Sequence, residues 1–296
     1  MLALASCSKT QTVNTYSYSL KCYTLVTSTD GQTAPFVTQT TYGFSFEAVS
    51  AKAEFSSNLQ LPDGKSGDFV ASDIPFMNSI YQTADQTGFA VYEFQSVKPA
   101  MTSGSQISNV KCFLTSGFYE MPSGVVIPGL QGVQYYSPYP NIVFNIDGYY
   151  ARSFRSDVCF KGKTVAIAHG QEQEPNTDMV YRVVMDLSDA SAYKADLYLV
   201  NAQLATGMPK ITIALKGLDL KFTNAGYTIS GTNVAAGMVE GSAITPQPSY
   251  TFDSINFEVQ SDRNGFLAAA KGSYSVGGRF SATFTEGSCN MQGVTE

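Results

Sequence analysis

The chain has no tryptophan, a single histidine, and only 14% charged residues among 296. One histidine, His169 beside Gly170, leaves a catalytic triad or a zinc site dependent on acids or thiols converging from elsewhere. Glu172 and Glu174 follow it, but with Pro175 and Asn176 they read as a solvated loop. Without tryptophan, the favoured stacking platform for sugar rings is missing. The scarcity of charge argues against helices laced with Glu–Lys pairs. Ser, Thr, Tyr, Phe and Gly fill the chain instead, as in strands with hydroxyl-rich outer faces. A net charge of −6 with no Lys/Arg stripe excludes nucleic acid as a partner. No run of about 18 apolar residues exists to cross a bilayer as a helix. There is no CxxC, GxSxG, HExxH or P-loop, so no redox, hydrolase or nucleotide motif appears, and neither a cofactor nor a metal is implied.

What is present is alternation. Tyr16, Tyr18, Leu20 and Cys22 repeat with period two, as do Tyr42, Phe44 and Phe46. Thr29-Asp30-Gly31, Asp147-Gly148, Asn264-Gly265 and Gly277-Gly278 are hairpin turns. No stretch carries a helical stripe. The pattern also starts over. Asp73-Ile74-Pro75-Phe76-Met77-Asn78-Ser79-Ile80-Tyr81 returns 146 residues later as Asp219-Leu220-Lys221-Phe222-Thr223-Asn224-Ala225-Gly226-Tyr227. Tyr181, Val183 and Met185 mirror Tyr42, Phe44 and Phe46. Cys159 mirrors Cys22, Tyr193 mirrors Phe55, and Phe257 mirrors Cys112. The expected fold is all-β: two tandem, internally duplicated antiparallel β-barrel or β-sandwich domains. Residues 1–15 form a tether, 16–156 the first domain and 157–296 the second. In this reading Asp73–Tyr81 is a hairpin built twice, with Asn78 and Asn224 taking positive φ.

Three groups of residues are candidates for function. Met121–Pro140 is a Pro/Gly-rich loop, and Tyr135, Tyr136, Tyr139, Tyr149 and Tyr150 cluster around it as a speculative ligand-binding surface or a packed domain junction. Four cysteines beyond Cys7 allow three pairings; Cys22, Cys112, Cys159 and Cys289 stay open, with a Cys159–Cys289 bridge one way to join the first and last strands of the second domain. The acids Glu47, Glu54, Asp186, Asp189 and Glu258 are the raw material of a hydrolase. Glu47 and Asp186 follow inward residues, however, and should face solvent.

Leu4-Ala5-Ser6-Cys7 resembles a bacterial lipobox, followed by a polar run, Ser8-Lys9-Thr10-Gln11-Thr12. The resemblance implies lipidation of Cys7 and anchoring to outer-membrane lipid, with the periplasmic or surface face undetermined. Six residues before Cys7 are too few for a leader, which points to a truncated start. With Tyr/Thr/Ser-rich β domains behind it, the chain resembles exported lipoproteins of the Bacteroidetes. Ile211–Leu218 followed by Gly226–Ser230 is similar to their calycin-like barrels, which implies a small apolar or glycan ligand. A second resemblance, to fimbrillin-like proteins, implies a structural or adhesive subunit that self-assembles. The expectation is a lipid-anchored cell-envelope binding protein without catalytic residues. The fimbrillin-like subunit is the alternative, and a hydrolase comes last.

Overall fold

The computed structural model describes residues 15–47, 52–82, 88–94, 100–107, 111–115, 117–118, 141–146, 148–154, 156–261 and 267–289. All regular structure there is strand, as the period-two alternation requires. The first sheet is built from β1 (Thr15–Ser28), β2 (Phe36–Glu47), β3 (Lys52–Gln60), β4 (Ser66–Gln82), β5 (Gly88–Phe94), β6 (Ala100–Met101), β7 (Lys111–Thr115), β8 (Gly117–Phe118), β9 (Asn141–Ile146) and β10 (Tyr149–Phe154). The second is built from β11 (Asp157–Ala168), β12 (Gln171–Glu172), β13 (Val180–Asp186), β14 (Lys194–Ala202), β15 (Ile211–Thr223), β16 (Gly226–Glu240), β17 (Ala243–Ser261), β18 (Leu267–Val276) and β19 (Phe280–Cys289).

In the second half β11 pairs with β13 on one side and β19 on the other, closing an eight-stranded antiparallel barrel. Closure removes the strand edges that would otherwise be exposed. The first half runs in the same order, β7-β9-β10-β1-β2-β3-β4-β5, with β10 pairing β1 as β19 pairs β11. The two differ between β5 and β7. Their counterparts β16 and β17 share a ladder from Gly226↔Gln260 to Glu240↔Ala243. Among the described residues β5 pairs with β4 and β8, and β7 with β9, so this sheet curls without closing.

One hydrogen bond fixes the register between the halves. Leu20 pairs with Tyr42, and Phe160 with Tyr181. Four residues along the same strand, Thr24 Oγ1 lies 2.8 Å from the Tyr42 hydroxyl and Thr164 Oγ1 lies 3.0 Å from the Tyr181 hydroxyl. Both phenols are buried, and a buried phenol needs such a partner. The Tyr42–Tyr181 equivalence therefore holds, and so does Glu47 with Asp186, which pair with Lys52 and Lys194 respectively.

Other letter matches slip. Counted from the shared Thr–Tyr bond, Cys22 corresponds to Gly162, not Cys159. Gly162 sits at a bulge where an added Cβ would come within 2.6 Å of the Thr285 carbonyl oxygen, so only glycine fits. Cys159 is a buried thiol paired with Arg182. Cys289 pairs with Phe160, which puts positions 159 and 289 on opposite faces of the sheet. Phe55 corresponds to Leu197 rather than Tyr193, because both follow the same bulge. Cys112, opposite Phe144, corresponds to Ile255, opposite Tyr274.

The repeated nonapeptide is also re-read. Asp73–Tyr81 runs entirely inside β4, where Asn78 pairs with Tyr92. Only Asp219–Tyr227 is a hairpin, turning through Asn224 and Ala225. The left-handed residue there is Gly226, at φ 155°, and not Asn224. Lys52 pairs with Pro75 and Lys194 with Asp219, so the true register is two residues from the letter match.

The barrel core is filled. Tyr181 stacks on Phe284 at 4.1 Å, Phe257 lies nearly parallel to Phe284 at 5.8 Å, and Phe160 leans on Phe257 at 5.9 Å. Leu197, Leu199, Leu215, Ile229 and Ile255 complete it. At one end of the barrel, Phe222 meets Tyr193 and Tyr227. The outer face of the first sheet rests there: Phe154 contacts Phe222 at 5.2 Å, Tyr23 stacks on Phe154 at 5.8 Å, and Leu25 joins the same cluster. Arg152 donates to the Asn224 carbonyl at 3.3 Å beside it.

Two consequences are measurable. Phe284→Ala removes the centre of the ring stack and should cost about 3–5 kcal/mol, whereas Ser153→Ala at the equivalent place in the first half should cost under about 1 kcal/mol. Urea denaturation reads both. Burial pushes the Tyr181 phenol up to about 12, partly offset by its bonds to Thr164 and Tyr274, and raises Tyr274 as well. The folded state thus prefers neutral phenols, while the unfolded chain ionises near pH 10. Their contribution is complete below about pH 10 and is lost as pH climbs toward about 12. The urea midpoint should fall across that window, and fall less in Tyr181→Phe.

Candidate functional site

The shared Thr–Tyr frame shows where the two interiors part company. In the barrel, Thr164 pairs with Phe284 and Tyr181 pairs with Leu199. In the first sheet, Thr24 pairs with Ser153 and Tyr42 pairs with Ser57. Two residues before each tyrosine stand Met179 and Thr40, both buried on the core face. A phenylalanine, a leucine and a methionine in one copy are thus two serines and a threonine in the other. Phe69, opposite Ser57 where the barrel has Ile213 opposite Leu199, restores part of the lost volume.

The result is a band of hydroxyls on the inner face of β10, β1, β2 and β3. Ser153, Thr24 and Thr38 lie side by side across three strands, spanning roughly 10 Å at the usual strand spacing. Thr40, Tyr42 and Ser57 continue the band diagonally. Thr24 and Tyr42 satisfy one another, and Thr38 Oγ1 donates to Gln60 Oε1 at 3.3 Å. Thr40 is different: it is 1% exposed, and its Oγ1 has no hydrogen-bond partner. A buried hydroxyl left unmatched costs about 1–3 kcal/mol, a cost that a purely structural sheet would shed by using valine there. Val26 and Ala151 on one side of the band, and Phe69 and Ala71 on the other, are apolar and buried.

This face was readable only in part. Thr24 continues the alternation of Leu20, Thr40 that of Tyr42, and Ser57 that of Leu59, so parity puts all three inside. Composition suggests the reverse, that hydroxyls belong on the outer face, and the structure corrects it: the inner face of the first sheet carries them too.

The tyrosines separate. Tyr149, opposite Ser28 and Ile146, stands on the inner face at its rim, and Tyr150, opposite Thr27, stands on the outer face with the Arg152 guanidinium 5.5 Å from its ring. Tyr135, Tyr136, Tyr139 and Cys7 lie outside the described residues.

The candidate acids have local duties. Asp186 accepts from the backbone and hydroxyl of Ser188, and Asp189 from those of Ser191; these bonds hold both carboxyls below the usual range. Asp196 accepts from Lys216 Nζ and Gly217 N at the β15 bulge, and Glu54 accepts from Ser72 at the equivalent bulge of β4. Glu258 pairs with Lys271 across strands. His169 is an exposed turn residue at φ 51°, edge-on to Phe280. Among the described residues no three His, Cys, Asp or Glu side chains gather as a metal site. Set against protein-family models, curated proteins and solved structures, the chain matches none of them.

Proposed function

We propose that the chain is a cell-envelope binding protein, anchored to outer-membrane lipid through Cys7, whose ligand site is the inner face of the first sheet. The closed barrel is its scaffold. The observation that carries this reading is the buried hydroxyl of Thr40, unmatched in a sheet whose duplicate fills the equivalent place with Met179. The hydroxyl band is shut from solvent in this conformation, so a ligand enters as the sheet parts. The seam between β5 and β7 is where it parts most easily, because among the described residues β5 is tied on that side only by its two pairs with β8, the run that follows β7. Such opening belongs to the low-stability end of a fold.

The test is hydrogen exchange on the full chain with and without a bound probe, taken from a screen of oligosaccharides, fatty acids and Nile red. Binding should protect the amides of β1, β2 and β10 and leave those of β13–β19 unchanged. Protection confined to the barrel would refute the site.

A second reading, a subunit that self-assembles by adding a strand, draws support from the same seam, since among the described residues β5 is laddered there only at Val91 and Tyr92 and an unpaired edge accepts another strand. Sedimentation of the chain over a hundredfold range of concentration decides it. Growth into long oligomers selects assembly, and a constant monomer removes it.

A further inference from the structure

Resting on that reading of the inner face, we infer that its ligand is a neutral, polyhydroxylated molecule of sugar type rather than a hydrocarbon or an anion. Within the band Thr24 and Tyr42 bond to one another, Thr38 donates to Gln60 and Ser57 to the Asn58 carbonyl, while Thr40 still has a hydroxyl to match; a hydroxyl both donates and accepts, and a sugar hydroxyl does both as well. No described residue on this face carries a charge: the inner positions of β1, β2, β3 and β10 whose side chains are described are hydroxyl, aliphatic or aromatic. An anionic ligand would therefore be buried without a counter-charge, which is costly. A hydrocarbon gains nothing at Thr40, because it would leave the Oγ1 as unmatched as before. A ligand hydroxyl at that point satisfies it.

The neighbours of the band fit the remainder of a sugar. A pyranose has polar edges and C–H faces. The hydroxyl band is flanked by Val26 and Ala151 on one side and by Phe69 and Ala71 on the other, so edges and faces both find matching surface. Phe69 supplies the aromatic ring in a chain without tryptophan. The barrel offers no such surface. At the equivalent positions it has Phe284, Leu199 and Met179, and its Thr164–Tyr181 pair is enclosed by stacked rings.

The experiment is binding of the full-length chain to an array of neutral and sialylated oligosaccharides, with Nile red as the apolar probe, repeated with Thr40→Val. This substitution keeps the shape and removes only the hydroxyl. The expected result is saturable binding to neutral glycans alone. Thr40→Val should bind the same glycan about tenfold more weakly, the loss of one hydrogen bond, and should melt at a higher temperature than the parent when unliganded. Preference for sialylated glycans or for Nile red overturns the ligand class while leaving the site in place. Neutral-glycan binding with unchanged affinity in Thr40→Val overturns the role of the hydroxyl band. Absence of binding to every probe, by contrast, overturns the site itself.

Discussion

Everything in this molecule hangs on the pairing of a first strand with a last one. β11 meets β19, and the second half becomes a barrel with no free edge. β1 meets β10 in the same way, and the first half takes up the same circular order. Backbone groups buried in a core must be matched, and a closed ladder matches them without help from the rest of the chain. Among the described residues no ladder joins β5 to β7, and the first half is a curled sheet. One copy is therefore closed by a full ladder, and its sister, among the described residues, is not.

That difference lets the two copies diverge inside. A sealed barrel gains stability from every ring it encloses, and Tyr181, Phe257 and Phe284 stack accordingly. The first sheet keeps the Thr–Tyr bond that sets register but surrounds it with Ser57, Ser153 and Thr40. Hydroxyls in a core lower its packing energy unless each is matched. They are retained in one copy and replaced by Phe284, Leu199 and Met179 in the other. The two are joined by a small aromatic contact, in which Tyr23, Leu25 and Phe154 lie against the barrel end at Phe222.

The amino-acid sequence determined the strand class, the twofold repetition and the faces. The parity of Tyr42, Phe44 and Phe46, mirrored in Tyr181, Val183 and Met185, is a local property of an extended chain whose side chains alternate, so it can be read without knowing the fold. The same parity placed Thr24, Thr40 and Ser57 inward, against what composition suggested. Only the tertiary structure decided the rest. Which residues are true counterparts depends on cross-strand partners and bulges, and these are invisible in a string of letters. The match of Asp73–Tyr81 with Asp219–Tyr227 slid by two residues, and that of Cys22 with Cys159 by three. Likewise, the unmatched hydroxyl of Thr40 exists only because four strands come together around it: a lone threonine in a strand has water, and only burial takes that water away.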